Sequence, residues 1–217
     1  MSIRRAVIFA NGELPDSASA RALLEDEDVL IASDGGLGHL ERIGLRPSVL
    51  IGDLDSVTPD QVERVRRQGG DVLQYPVEKN ETDLELAIQY ALDNGFRRVL
   101  IMAALGGRLD HLLGNLSLLT RPGLEEVDLR LDDGQVEAFL ITDQAMVEGA
   151  PGDLVSLIPL WGAVQGVVTR DLQYPLRAET LYPFKTRGIS NVMEREQAGV
   201  SIAGGQLLCI HTRQGSH

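Results

Sequence analysis

Short β-rich runs alternate with helix-forming stretches through the first half of the chain, and this alternation constrains the fold more than any other feature. Apolar runs stand at 6–9, 29–32, 49–51, 72–75 and 99–103, and helical patterns occupy 17–24, 37–43, 59–68, 82–94 and 109–119. Strands separated by helices require crossover connections, which are right-handed, and so predict a mostly parallel sheet with flanking helices. Ligands of such sheets lie outside the carboxyl ends of the strands. The polar clusters fall at those ends: Asn11-Gly12, Asp34-Gly35-Gly36, Gly52-Asp53-Leu54-Asp55 and Gly106-Gly107-Arg108. Topology and chemistry therefore point to one place.

Beyond about residue 124 the helical period is lost. The stretch 127–131, the turn Asp132-Asp133-Gly134 and the stretch 136–142 read as two strands joined by a tight turn, with further strands expected at 154–159, 166–169, 200–202 and 206–211. Short strands separated by Gly, Pro and Asp predict a smaller all-β sandwich. The expected division is an α/β domain over 1–133 and the sandwich over 134–217.

Composition narrows the function. The chain of 217 residues is 43% apolar and 24% charged, as in an ordinary globular protein. A net charge of −12 without a basic run argues against nucleic acid, whose backbone needs clustered Lys and Arg. The same charge means that any bound polyanion requires cations or a few well-placed basic residues. The opening MSIRRAVIFANGE has too short an apolar run for a signal peptide and reads as a first strand, and no segment is long enough to span a membrane. A single cysteine, Cys209, excludes an intrachain disulfide and reads as buried in LLCIH. A cytoplasmic location is expected.

The densest cluster is IGDLDS at 51–56. If the strand continues through it, Asp53 and Asp55 project to one side, because side chains alternate with period two. Neighbouring carboxylates repel unless they share a proton or a cation, and oxygen ligands suit Mg²⁺. A solvated turn explains the same residues equally well.

In KNETDLELAI, Thr82 and Glu85 form a capping-box pattern, and Leu84, Ala87, Ile88, Ala91 and Leu92 make an apolar stripe. The cap alone is worth about 1 kcal/mol, and Asp83 in the first turn complements the helix dipole. These three thus have a sufficient structural role. Lys79 stands at the helix entrance, where phosphate is favoured.

In ALGGRLDHLLGN, Leu109, Leu112, Leu113 and Leu116 predict a buried helix face, with His111 and Asn115 together on another face. Arg108 offers a fork of donors suited to phosphate oxygens, although with Asp110 it could also form a surface ion pair. The glycines of SDGG at 33–36 could present N–H groups to an anion or serve a tight turn. The P-loop, protein-kinase, HExxH and GxSxG signatures are absent, and GxGxxG is incomplete because Glu41 stands at its last glycine.

Taken in order, SDGG (33–36), GDLDS (52–56), KNETDLE (79–85), GGRLDH (106–111) with Asn115, LQYPL (172–176) and GISN (188–191) resemble the thiamine pyrophosphokinase family over nearly the whole chain. The resemblance implies a nucleotide-binding catalytic domain followed by a thiamine-binding sandwich, in a homodimer with thiamine between subunits. It implies ATP as co-substrate and Mg²⁺ held by Asp53, Asp55 and Asp83, with Arg108 and Asp110 handling phosphate. Asp34, Lys79, His111 and Asn115 are the further substrate-binding positions expected in the first domain. In the second, Tyr174 is expected to pack on the thiamine ring, with Ser190 and Asn191 as polar contacts. Asn80 departs from the family, in which an Asp often follows the lysine. Two rival readings of the same clusters are a metal-dependent phosphoesterase and a nucleotide- or thiamine-binding regulator without catalysis.

Overall fold

The computed structural model describes residues 4–215. The chain divides into two compact units, Met1–Gly134 and Gln135–His217.

The first unit runs β1 (Arg5–Phe9), α1 (Ser17–Ala22), β2 (Val29–Ser33), a 3₁₀ turn (Asp34–Gly36), α2 (Leu37–Arg42), β3 (Val49–Gly52), α3 (Pro59–Arg67), β4 (Asp71–Gln74), α4 (Asp83–Asp93), β5 (Arg98–Met102), α5 (Leu109–Leu118) and β6 (Asp128–Asp132). Its strands lie in the order β6-β5-β1-β2-β3-β4, and every neighbouring pair is parallel. The stretch at 127–131 thus supplies the sixth parallel strand, with Asp128 opposite Arg98. Strand order advances from β1 to β4 on one side and then resumes at β5 on the other side of β1. The crevice at the carboxyl ends of β1 and β5 is therefore the switch point where ligands of such sheets bind.

Period-two alternation divides the strands between two covered faces. Val7, Phe9, Ala32, Leu50, Leu100 and Met102 share a cluster with Ala20 of α1, Leu37 and Leu40 of α2 and Val65 of α3. The alternate residues Ala6, Ile8, Ile31, Ile51 and Ile101 are also buried. Helix α4 packs on β1, β2 and β3, with Leu84, Ala87, Ile88 and Ala91 buried. Removing a buried side chain such as Ile88 would cost about 2–5 kcal/mol. Helix starts follow their caps. Thr58 forms a reciprocal box with Gln61 ahead of Pro59, and Thr82 Oγ1 accepts from Glu85 N at 3.2 Å.

Helix α5 corrects the expected buried face. Leu116 is buried, whereas Leu109 is 68% and Leu113 51% exposed. The helix seats on Leu112, Leu116 and Leu119, one side of the leucine stripe, and presents the other side to solvent. An apolar period locates a stripe but not what covers it.

The second unit contains β7 (Val136–Ile141), β8 (Gln144–Glu148), β9 (Leu154–Ile158), β10 (Val164–Arg170), β11 (Arg177–Leu181), β12 (Asn191–Val192), β13 (Gln197–Ser201) and β14 (Leu207–Thr212). Two antiparallel sheets, β12-β9-β14-β7 and β11-β10-β13-β8, form the sandwich. One core joins them, with Phe139, Val155, Leu157 and Cys209 from the first sheet and Val147, Val164, Val167 and Val200 from the second. The fold class is the expected one, an α/β unit followed by a smaller all-β sandwich. Strands β8, β11 and β12 were not anticipated.

Candidate active site

Three carboxylates meet at the carboxyl ends of β2 and β3 and the start of α4. One oxygen from each of Asp34, Asp53 and Asp83 lies within 4.8 Å of the others. Asp34 opens the 3₁₀ turn after β2, is 4% exposed and has φ 45°. Asp53 follows β3, and Asp83 is the first residue of α4. Gly52 forms the floor between them. Its φ is 152°, and a Cβ there would stand 3.0 Å from Asp34 Cβ and 3.2 Å from Asp83 Cγ.

Lys79 reaches into this group, with Nζ 3.1 Å from Asp53 Oδ2 and 3.0 Å from Asp83 Oδ1. The contact to Asp53 is a directed hydrogen bond. Asp83 Oδ1 is near the ammonium, yet it is buried with no directed hydrogen-bond partner. Lys79 draws the Asp53 carboxyl below its ordinary range through that hydrogen bond. Burial outweighs Lys79 at Asp83 and lifts its carboxyl, with Asp53 and Asp34 adding repulsion. Burial pushes the Lys79 ammonium down, but Asp83 and Asp53 together outweigh this and raise it. A compact set of hard oxygen donors from three carboxylates fits a divalent cation such as Mg²⁺.

The expected metal set was Asp53, Asp55 and Asp83; the structure gathers Asp34 with Asp53 and Asp83, and Asp55 is outside the group. The physical reason is local. Strand β3 ends at Gly52, and Leu54 takes φ 67°, so period-two alternation stops before Asp55. Asp55 lies on an exposed turn, where Oδ1 accepts from Ser56 Oγ at 3.0 Å and its own N–H donates to Asp53 Oδ1 at 3.2 Å.

The SDGG glycines serve close packing. A Cβ on Gly35 would fall 2.2 Å from Asn11 Oδ1, and one on Gly36 only 1.8 Å from the Phe9 carbonyl oxygen. Asn11 Nδ2 donates to Ser56 Oγ at 3.3 Å, and Ser56 N donates to Asp34 Oδ1 at 3.4 Å. The ends of β1, β2 and β3 are thus tied to one another.

At the start of α5, Arg108 and Asp110 form an exposed two-point pair, Nε–Oδ1 at 3.1 Å and Nη2–Oδ2 at 2.6 Å. The Arg108 hydrogen bond holds the Asp110 carboxyl down at about 2. His111 is exposed, and its N–H donates to Asp110 Oδ1 at 3.1 Å. Asn115 Nδ2 donates to the Ala104 carbonyl at 2.9 Å and so secures the β5–α5 loop. Gly106 stacks on Glu13, which a Cβ would meet at 3.0 Å.

In the sandwich, Tyr174 is 55% exposed. Asn191, buried beneath it, accepts from Tyr174 N at 2.9 Å and donates to Tyr174 O at 2.8 Å. Asn191 therefore holds the tyrosine backbone, as a strand partner would, and leaves the ring at the surface. Ser190 has φ 56°, and its N–H donates to Ser156 Oγ at 3.0 Å. Gly188 packs on Leu157, whose carbonyl oxygen a Cβ would meet at 2.2 Å.

Residue types alone assign no separate role to Ser56, to Gly52 as a floor or to His39. The first two stand inside GDLDS and could be suspected, whereas an isolated histidine in a helix gives no signal.

A doubly wound sheet with an acidic cluster at its strand ends, followed by a β-sandwich, defines an α/β enzyme with an appended binding module. Residues 20–131 match the thiamin pyrophosphokinase catalytic domain, and residues 143–207 match the thiamin pyrophosphokinase vitamin B1 binding domain. The thiamine pyrophosphokinase of Bacillus subtilis is 30% identical over 190 residues, 86% of this chain and 89% of the relative. A crystal structure of thiamine pyrophosphokinase from that species is similar at TM-score 0.86 and 25% identity, over 98% of this chain and all of the other. A thiamin pyrophosphokinase family protein from Enterococcus faecalis is similar at TM-score 0.80 and 27% identity, over 98% of this chain and all of the other. The chain belongs to the thiamine pyrophosphokinase family.

Proposed function

We propose that this chain is a thiamine diphosphokinase, transferring the diphosphate of ATP to the hydroxyl of thiamine and releasing AMP. The observation that carries the reading is the trio Asp34, Asp53 and Asp83, one oxygen of each within 4.8 Å of the others, inside the stretch that matches a pyrophosphokinase catalytic domain. A regulator that had lost catalysis would have little reason to keep three carboxylates in mutual repulsion. A phosphoesterase would have no use for the second unit, whose match is to a vitamin B1 binding domain.

In this reading the α/β unit, 1–133, binds ATP across the carboxyl ends of β1 and β5, and the sandwich, 134–217, binds thiamine. Asp34, Asp53 and Asp83 would hold Mg²⁺, which when bound neutralises phosphate charge and orients the transferred group. Lys79 adds positive charge beside that site, and Arg108 supplies donors toward developing phosphate charge. Asp55 and His111 are exposed polar groups at the rim, and Asn115 holds the loop before α5. Asp110 pairs with Arg108 at two points and so orients its guanidinium. Tyr174 packs on the thiamine ring, with Ser190 and Asn191 shaping the bed beneath it. The enzyme works as a cytoplasmic homodimer with thiamine between subunits; among the described residues no helix is long and apolar enough to cross a membrane.

Product analysis tests the reading. Protein, ATP, Mg²⁺ and thiamine should give AMP and thiamine diphosphate in equal amounts. ADP with thiamine monophosphate, or phosphate release independent of thiamine, would overturn it.

A further inference from the structure

We propose that His39 is a positioning residue of this enzyme: its Nε2–H fixes the Asn11-Gly12 corner against which the nucleotide binds. The inference rests on the proposed ATP site for its kinetic consequence and on geometry for everything else.

His39 lies in α2, where it is 9% exposed. Its Nε2 is 2.8 Å from the Gly12 carbonyl oxygen, and its Nδ1 is 3.3 Å from Arg42 Nη1. Chemistry settles the tautomer. A guanidinium has only donors, so Arg42 donates and Nδ1 must be the bare nitrogen. The ring proton then sits on Nε2 and is donated to Gly12. Burial and the Arg42 charge both favour this neutral form.

The bond matters because of what the corner joins. Gly12 N donates to the Ala103 carbonyl at 2.9 Å, and a Cβ on Gly12 would stand 2.4 Å from that oxygen. Ala103 itself takes φ 57°. The corner is thus clamped at its N–H by the end of β5 and at its C=O by His39. Clamped this way, Asn11 packs on Gly35 and bonds Ser56, whose N–H reaches Asp34. One imidazole therefore stabilises the crevice at the switch point and, through two hydrogen bonds, the carboxylate trio. His39 touches none of the carboxylates, so it acts through backbone position alone.

The test compares His39→Leu with His39→Gln, since the Gln amide can still donate at the reach of Nε2. His39→Leu should raise KM for Mg·ATP about tenfold, the scale of one lost buried hydrogen bond, and leave KM for thiamine within about twofold. His39→Gln should recover to within about threefold of the parent. A purely packing role would instead make Gln, a polar group in the buried seat, the worse variant. Equal KM values for all three proteins, or a larger defect in His39→Gln than in His39→Leu, would overturn the proposal. Two readouts do not need turnover. Titration with a non-hydrolysable ATP analogue should follow the same order, and ¹⁵N spectra should show one imidazole locked as Nε2–H that vanishes in both variants. A locked Nδ1–H form would also overturn it. If the parent makes no thiamine diphosphate, the functional reading fails while these two measurements still decide the role of His39.

Discussion

Asp34 and Asp55 are both acidic residues just beyond strand ends, yet only Asp34 is gathered with Asp53 and Asp83. The difference is backbone. Asp34 is turned inward by its positive φ, whereas the left-handed Leu54 swings Asp55 onto an exposed turn. Composition at 33–36 and 52–56 announced a site, but which carboxylates converge depended on single φ values that residue types do not encode. Asp34→Asn should therefore lower kcat/KM on the order of 100-fold, the loss that accompanies disturbance of a metal's surroundings, and raise the Mg²⁺ concentration needed for half-maximal rate. Steady-state assays across a Mg²⁺ series measure both, and an unchanged Mg²⁺ requirement would remove Asp34 from the metal set. Away from the site, His211 is fully buried, with Nε2 3.0 Å from Asp153 Oδ2 and Nδ1 3.5 Å from Glu137 Oε2. Burial pushes its pKa down, but Glu137 and Asp153 outweigh burial and raise it above 6.5. A raised histidine contributes stability that is complete below its unfolded pKa and is lost as pH rises through the folded one. The melting temperature should thus fall as pH rises above about 6.5, the ordinary histidine value. The fall should shrink in His211→Gln; an identical pH slope in both proteins would refute the assignment.

At the scale of elements, the α/β half was legible because strand and helix periods differ and a helix cap could be read at Thr82. The sandwich was less so. Strand β8, QAMVE, has little alternation, β11, RAETL, is mostly exposed, and β12 has two residues that exist only through pairing with β9. Such strands are made by their neighbours and leave a weak trace in local sequence. Strand ends carry the functional geometry, and they carry strain with it. Asp34, Leu54 and Ala103, with φ of 45°, 67° and 57°, follow β2, β3 and β5. Strained backbone of this kind costs about 1–3 kcal/mol per residue and survives where surrounding structure fixes it. Gly52 is the element-scale counterpart, the glycine that lets β3 end beneath two carboxylates. Gly52→Ala should lower stability by roughly 1–3 kcal/mol through its disfavoured φ. Its Cβ should also spread Asp34 from Asp83 and abolish detectable turnover in a protein that still melts cooperatively. Full activity in that variant would mean the carboxylates need not stand this close.

For the whole molecule, a net charge of −12 sits uneasily with a polyanionic substrate, and the resolution lies in local neutralisation. Lys79 is held between two carboxylates, the proposed Mg²⁺ would add further positive charge there, and Arg108 stands exposed at the start of α5. Four of the exposed apolar residues stand close in sequence to proposed substrate positions. Leu109 and Leu113 stand exposed on α5, after Arg108, in the first unit, and Tyr174 and Ile189 stand exposed in the second, near the proposed thiamine contacts. Both sets flank proposed substrate residues, which is what a subunit interface enclosing the substrate would need. Burying one such leucine against a second copy is worth about 1.5–3 kcal/mol, and a lysine there would forfeit that and add a charge to desolvate. Sedimentation should accordingly find the parent at twice its 23.6 kDa chain mass. Leu113→Lys should shift it toward the single-chain mass, with an unchanged circular dichroism spectrum. Because thiamine is proposed to lie between subunits, thiamine-dependent AMP formation should fall in step with the dimer fraction as protein is diluted, while binding of an ATP analogue persists. A parent that sediments as a single chain, or a monomeric Leu113→Lys with full thiamine-dependent activity, would show that each chain closes its own site.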